Sequence, residues 1–182
     1  MTAGSPEILR TQRLRLRLAH PGDAAFYLEL VNDPAFIACI GQRNLHTIEA
    51  AAKAIEDGPM AMQRDRGHSL YVVELQDGGV PIGLSGLIKR EVLDDVDIGY
   101  AFLARHRGQG YAFEAAQAVV AHARRLGMGR LAAICSPENA ASIALLLKLG
   151  MRFEHLSVLT PGESGVNVYR IDLDKVLSPP IA

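Results

Sequence analysis

One continuous stretch, residues 97–126, constrains the fold of this chain more than any other. It begins with alternating apolar residues, passes through a basic turn that contains Gly108 and Gly110, and continues into an alanine-rich segment that ends before Gly127. The alternation is typical of a strand, and the later apolar spacing is typical of an amphipathic helix. A strand, a glycine turn and a helix N-terminus in this order are the parts needed to bind a phosphate group. The sequence therefore predicts an anion site at the start of this helix.

The bulk properties of the chain are those of an ordinary globular protein. Its 182 residues favour a single domain over residues 1–182, with a core at 13–174 and short flexible tails. The formal net charge of −1 lacks the basic excess that a nucleic-acid-binding surface needs. We find no apolar run of membrane-spanning length and no signal-peptide pattern. Cys39 and Cys135 have no metal or redox spacing, so a cytoplasmic protein with reduced thiols and no metal site is expected.

The apolar periodicities elsewhere predict antiparallel hairpins around one β-α-β unit. After a loose lead-in, a first strand is expected at 14–18, with Arg13, Arg15 and Arg17 on a solvated face. Helices are expected between residues 21 and 66, broken at Gly58 and Pro59. The other expected strands are 69–75, 81–89, 96–102, 130–135, 151–159 and 167–173, with a helix at 140–149 and a turn around 161–162. This order indicates an α+β, or mixed α/β, sheet.

Two common nucleotide-binding patterns do not match the glycine turn. A P-loop needs Gly-Lys-Ser/Thr at the helix start, whereas Gly110 is followed by Tyr111. A dinucleotide-binding turn needs a third glycine where this chain has Phe113. It also needs an acidic residue about twenty residues later, where the chain has Arg130 and Leu131. Two possibilities remain. The turn binds a phosphate group in another way, or its glycines only permit a tight turn between the strand and the helix.

The sequence Arg-His-Arg-Gly-Gln-Gly at 105–110 resembles the pyrophosphate-binding loop of the GNAT superfamily of N-acetyltransferases. Two further motifs extend the resemblance to its RimJ/RimL-like, ribosomal-protein N-acetyltransferase-like branch. These are Asp-Ile-Gly-Tyr at 97–100 and Pro-Glu-Asn-Ala-Ala-Ser at 137–142, which continues to Lys-Leu-Gly-Met at 148–151. The element order matches over roughly residues 14–173. The implied GNAT-type fold has a central, mostly antiparallel sheet of about six to seven strands, with splayed middle strands and flanking helices.

The resemblance implies that the chain binds acetyl-coenzyme A as its cosubstrate. The backbone of residues 100–102 would pair with the pantetheine arm, and the glycine turn would hold the pyrophosphate. The dipole of the following helix would add about 0.3–1 kcal/mol to the binding of that anion. Asn139 is also expected to cap its own helix. The implied cofactor-binding residues are Tyr100, Ala101, Phe102, Arg105, Arg107, Gly108, Gln109, Gly110, Tyr111, Ala112, Asn139 and Ser142.

The resemblance further implies direct attack of an acceptor amine on the thioester, without a covalent acyl-enzyme. The sequence agrees, because neither Cys39 nor Cys135 has a base partner that the sequence suggests. Asp97 occupies the position at which related sequences often carry a glutamate, and it is the candidate general base. The alternative interpretation is a surface acid beside Asp94 and Asp95.

The chain departs from the family at Leu146, where many members carry a tyrosine that protonates the leaving thiolate. This departure motivates a competing hypothesis, a non-catalytic acyl-coenzyme-A sensor of the same fold. The acceptor stays open between a protein N-terminus and a small-molecule amine. In the family it is selected by the helical insert, here 21–66, and by the loop at 161–165. No nucleic-acid or membrane partner is expected, and the oligomeric state, a homodimer included, stays open.

Overall fold

The structure of the chain, a computed structural model, describes residues 5–159 and 164–174. Its strands are β1 Glu7–Arg10, β2 Leu14–Arg17, β3 Leu70–Leu75, β4 Pro81–Ile88, β5 Asp97–Phe102, β6 Arg130–Cys135, β7 Arg152–Ser157 and β8 Val166–Asp172. Within the described residues they form one sheet of eight strands, in the order β1-β2-β3-β4-β5-β6-β8-β7. Neighbouring strands are antiparallel except β5 and β6, which are parallel. The predicted, mostly antiparallel α+β sheet is confirmed.

Helices cover both faces of this sheet. They are α1 Ala24–Val31, α2 Pro34–Ile40, α3 Ile48–Ile55, α4 Ala61–Arg66, α5 Tyr111–Arg125 and α6 Ala140–Lys148. Successive side chains of β3 point to opposite faces, so Tyr71 and Val73 join the core beneath α5. Val72 instead joins the core beneath the insert helices, with Leu30 and Phe36. In the described part of the chain, no helix is long and apolar enough to cross a membrane.

The sheet opens between β5 and β6. These two strands pair only near their N-terminal ends, where Asp97 lies opposite Ala132. Along the rest of its length β5 pairs with β4, and β6 pairs with β8. The neighbours on the far sides therefore hold the two strands in place while the strands diverge. This confirms the predicted splay of the middle strands.

The N-terminal part of the sheet differs from the expectation. Residues 7–10, predicted as a loose lead-in, form β1 and pair with β2, so the sheet has eight strands in the described residues rather than six or seven. The sequence signal was weak because Leu9 is the only residue of this short strand that is buried. The turn predicted around 161–162 lies outside the described residues.

The helical insert also differs from the expectation at two places. No helix was predicted at 34–40, but α2 forms there because Asp33 accepts hydrogen bonds from the amides of Ala35 and Phe36. The helix break predicted at Gly58 and Pro59 does not occur. These two residues lie inside a π-helical turn at Glu56–Met60 that connects α3 to α4. A wider turn accommodates proline because the helix there does not require the amide hydrogen that proline lacks.

A buried cluster of ion pairs ties β2 to β3 and to the turn before α1. The guanidinium of Arg17 donates to Asp23 Oδ1 at 2.7 Å, to Asp23 Oδ2 at 2.8 Å and to Glu74 Oε1 at 2.6 Å. The side chain of Arg17 is buried, so the prediction of a solvated strand face is wrong at this position. Burial would raise the pKa of Asp23, but the hydrogen bonds from Arg17 outweigh this effect and lower it. Arg15 also pairs with Glu74, from a partly exposed position.

We expect Arg17→Met to lower the free energy of unfolding by about 3–5 kcal/mol, because it leaves the buried carboxylate of Asp23 without its guanidinium partner and leaves Glu74 with the partly exposed Arg15 alone. Urea unfolding followed by circular dichroism measures this change. The matched control is Arg64→Met, which removes an exposed ion pair with Asp65 and should leave the stability nearly unchanged. Equal stabilities of the two variants would contradict a structural role for the cluster.

Candidate active site

A cavity of about 1050 Å³ lies where β5 and β6 part. Its walls come from β4, β5 and β6, from the turn and first residues of α5, from α6, and from α2 and the segment that follows it. This volume is at the upper end of the range for small-molecule sites, roughly 300–1,000 Å³. The cavity is therefore large enough for an extended ligand together with a second, smaller one.

The cavity brings together most of the residues predicted to bind the cofactor. Those that line it are Tyr100, Ala101, Phe102, Arg107, Gly108, Gly110, Tyr111, Ala112, Asn139 and Ser142. Arg105 and Gln109 are not among the lining residues. Arg105 forms an ion pair with Glu29 of α1, and Gln109 Nε2 donates to the carbonyl oxygen of Arg105 at 3.1 Å. These two side chains hold the turn and connect it to α1.

The glycine turn has a backbone conformation that favours glycine at two positions. The φ angles of Gly108 and Gly110 are 73° and 83°, in the left-handed region that other residues rarely adopt. Gly110 is the N-cap of α5, and no side chain in the described residues caps this helix. The first amides of α5 are therefore available to an anion. The turn therefore offers the uncapped amides and the side-chain-free backbone that a phosphate group would need.

Arg107 is held at the same end of the cavity by α2. Its Nη2 donates to Asp33 Oδ1 at 2.7 Å, and its Nε donates to the carbonyl oxygen of Phe102 at 2.8 Å. Burial raises the pKa of Asp33, but the hydrogen bonds from Arg107 and from the α2 amides lower it more. Asp33 thus caps α2 and positions a cation beside the glycine turn.

Asp97 lies where β5 and β6 begin to diverge. It is 1% exposed, and its Oδ2 accepts a hydrogen bond from Arg90 Nε at 3.1 Å. Its Oδ1 has no hydrogen-bond partner in residues 5–159 and 164–174. Burial raises the pKa of Asp97, and the nearby Arg90 offsets this only in part. A buried carboxyl group with one free oxygen and a raised pKa is suited to accept a proton.

The alternative interpretation of Asp97 as a surface acid is wrong. Its neighbours in the β4–β5 connection behave differently. Asp94 is exposed, and Asp95 forms ion pairs with Arg130 and Arg170. The alternation along β5 explains the difference, because it turns the Asp97 side chain into the protein at the first residue of the strand.

A hydrogen-bonded pair of hydroxyl groups connects β5 to α6. The Tyr100 hydroxyl and Ser142 Oγ are 2.8 Å apart. Burial raises the pKa of Tyr100 to about 12, so its hydroxyl stays protonated at neutral pH. Asn139 caps α6, as predicted, by accepting a hydrogen bond from the amide of Ser142 at 3.1 Å. Leu146 is buried and lines the cavity, where it provides no proton donor.

Two further arginines of the cavity were not identified from the sequence. Arg90 follows β4 and contacts Asp97, and Arg43 lies in the segment after α2. Arg90 could have been found from the predicted β4–β5 hairpin. In that hairpin Ile88 is directly paired with Asp97, so a residue two positions after Ile88 lies near Asp97. Arg43 had no such signal, because α2 itself was not predicted.

Comparison with known proteins identifies the family of this chain. The family model described as an acetyltransferase (GNAT) domain matches residues 13–152. The uncharacterized protein YkkB of Bacillus subtilis (strain 168) is 30% identical over 150 residues, which are 80% of this chain and 85% of YkkB. The uncharacterized N-acetyltransferase YoaA of the same strain is 30% identical over 149 residues, 81% of this chain and 84% of YoaA.

Solved structures share the fold over nearly the whole chain. An acetyltransferase from Agrobacterium tumefaciens has a TM-score of 0.77 at 25% identity, covering 94% of this chain and 96% of that one. RimL, a ribosomal alpha-N-protein acetyltransferase solved in complex with coenzyme A, has a TM-score of 0.70 at 20% identity. The match covers 93% of this chain and 99% of the RimL chain. Because the family model matches well over half of its residues, this chain belongs to the GNAT acetyltransferase family.

Proposed function

We propose that the chain is an N-acetyltransferase that transfers an acetyl group from acetyl-coenzyme A to a primary amine. The observation that carries the proposal is one cavity that runs along β5 from the glycine turn to Asp97. Five residue steps of a strand span about 17 Å, so an anion bound at the turn lies far from this carboxyl group. Such a separation suits a long cofactor whose phosphates and reacting end bind at different places. The coenzyme A complex of RimL supports the same choice of ligand.

The residues of the cavity would hold acetyl-coenzyme A by three kinds of contact. The amides that follow Gly108 and Gly110, together with Arg107, would bind the pyrophosphate. The backbone of β5 beyond Asp97 is not paired with β6, so its free polar groups would hydrogen-bond the pantetheine arm. Asn139 and Ser142 would contact that arm from α6. When bound, the cofactor supplies an acetyl thioester that an amine can attack directly.

We propose Asp97 as the general base that accepts the proton of the acceptor amine. At pH 7, deprotonating an α-amine of pKa near 8 costs about 1.4 kcal/mol, and deprotonating a lysine near 10.4 costs about 5 kcal/mol. Oδ1 of Asp97 has no hydrogen-bond partner among the described residues and is itself buried, so it would accept the proton through a water molecule that connects it to the amine. Arg90 holds the other carboxylate oxygen and orients the group.

A specific observation favours a second function, an acyl-coenzyme-A sensor without catalysis. Leu146 is buried and apolar where many family members carry a proton-donating tyrosine. A thiol has a pKa of about 8.5, so the thiolate is a fair leaving group even without that acid. For this reason we favour the enzyme over the sensor.

Calorimetric titration with acetyl-coenzyme A tests the binding that both functions require. We expect saturable binding, and we expect thiol release that depends on an added amine. The absence of binding at millimolar cofactor would contradict both functions. Binding without release across a broad panel of amines would favour the sensor.

We expect Gly110→Val to weaken the binding of coenzyme A by about tenfold or more, since a left-handed backbone costs a residue with a side chain roughly 1–2 kcal/mol and valine is branched at Cβ. Calorimetry measures the affinity. Gly67→Val is the matched control, because Gly67 also has a positive φ, 73°, but is not a lining residue of the cavity. Normal cofactor binding by the Gly110 variant would mean that the pyrophosphate binds elsewhere.

We expect Asp97→Asn to lower kcat by about 10²–10⁴-fold, the range for loss of a general base, without changing the affinity for coenzyme A. The carboxylate is the active form and its pKa is raised by burial, so wild-type kcat/KM, expressed per concentration of unprotonated amine, should fall with decreasing pH at a value above the ordinary aspartate pKa of about 3.9. This acidic limb should disappear in the variant. Asp94→Asn, at an exposed position, is the control and should keep both the rate and the pH profile.

A further inference from the structure

The face of β5 that carries Asp97 forms an apolar wall with the insert helices. Gly99 and Ala101 share this face, and β4 places Leu84 and Ile88 beside them. A Cβ atom added at Gly99 would lie 2.7 Å from Ile88 Cδ1 and 3.5 Å from Leu70 Cδ2, so the wall is already closely packed. Phe36 and Ile40 of α2 line the same cavity. The Tyr100 and Ser142 hydroxyls lie on the other face, so this wall is free to receive an acceptor with an apolar body.

The charges beside this wall are mostly positive. Asp97 is the only carboxylate among the described residues that line the cavity, and Arg90 already pairs with it. The two Nη nitrogens of Arg90 make no hydrogen bond within the described residues. The guanidinium of Arg43 has no ion-pair partner there either, and it lies 5.9 Å from the centre of the Phe36 ring. Both arginines therefore have donors available to a ligand, whereas the lone carboxylate is partly neutralised.

We infer that the acceptor amine carries a carboxylate and an apolar body, as a hydrophobic α-amino acid does. This inference rests on the proposed transfer to an amine. In an α-amino acid the amine and the carboxylate are attached to the same carbon atom. Asp97 and Arg90 are also adjacent, with 3.1 Å between Oδ2 and Nε, so one ligand can place its amine beside Asp97 and its carboxylate on the Nη nitrogens of Arg90.

The same charges disfavour a polycationic acceptor. A polyamine would place several ammonium groups beside Arg43 and Arg90, with one shared carboxylate to receive them. A carboxylate instead forms charge-assisted hydrogen bonds with guanidinium groups, which are well shaped to bind it. The carboxylate can belong to a free amino acid or to an acidic side chain next to a peptide N-terminus.

The test compares leucine with leucinamide and 3-methylbutylamine, which keep the apolar body and lack the carboxylate, and with spermidine. Thiol release is measured with acetyl-coenzyme A, and rates are expressed per concentration of unprotonated amine. We expect kcat/KM for leucine to exceed that for leucinamide by about tenfold or more, because hydrogen bonds to charged groups contribute that much. A peptide amide with aspartate at its second position, compared with its asparagine counterpart, tests the peptide source. Preference for the aspartate peptide over the asparagine peptide would also support a carboxylate site.

Two variants test the assignment to specific side chains. Arg43→Gln and Arg90→Gln should each reduce the ratio between leucine and leucinamide toward one. Arg64→Gln, at an exposed site that does not line the cavity, should keep the wild-type ratio. Equal or better turnover of leucinamide, 3-methylbutylamine or spermidine by the wild-type protein would overturn the inference.

A binding measurement separates this inference from the proposed function. Calorimetry of leucine and leucinamide on the protein saturated with coenzyme A needs no turnover. Tighter binding of leucine than of leucinamide, lost in Arg43→Gln, would support the carboxylate site even if no thiol were released. In that case the proposed transferase function would be contradicted and the carboxylate site would stand. Equal binding of the two ligands would overturn the carboxylate site while leaving an observed transferase activity in place.

Discussion

The structure depends on the point at which two neighbouring strands stop pairing. β5 and β6 meet at Asp97 and Ala132 and then diverge, while β4 and β8 keep their other edges paired. Unpaired backbone groups away from water are costly, so a ligand that displaces water from the open edge of β5 must itself supply polar groups. The cavity, the exposed edge and the placement of Asp97 all follow from this one interruption of the sheet. The Tyr100–Ser142 hydrogen bond connects β5 to α6 beside the opening.

The arginines in and around the cavity differ in whether they form ion pairs with carboxylates of the protein. At the glycine turn, Arg105 and Arg107 are paired with Glu29 and Asp33, so the first two insert helices position the turn before any ligand binds. Arg43, which lines the cavity beside Phe36 of α2, has no carboxylate partner among the described residues. Preorganised cations suit a phosphate group that binds in one fixed place. Unpaired donors are available to a ligand carboxylate, as the inference of a carboxylate-bearing acceptor requires.

Local patterns predicted the parts of the fold that depend on neighbours in sequence. The alternation in β3 to β6, the glycine turn and the Asn139 cap each rest on a few adjacent residues, and the structure contains all of them. Arg17 was misjudged because its partner Glu74 lies 57 residues away on β3. The helix α2 was missed because it depends on a single cap, Asp33, in a stretch with little periodicity.

The sequence by itself determined the family, the mixed sheet and the glycine turn at the start of α5, because these depend on short motifs whose backbone geometry is local. Only the tertiary structure decided that Asp97 is buried with one oxygen unpartnered in the described residues, since its neighbours there are Ile88 of β4 and Ala132 of β6. It also decided that Arg90 lies against Asp97 and that Arg43 lines the same cavity. Burial and charge pairing are properties of residues far apart in the chain, so they arise when the sheet forms and not before.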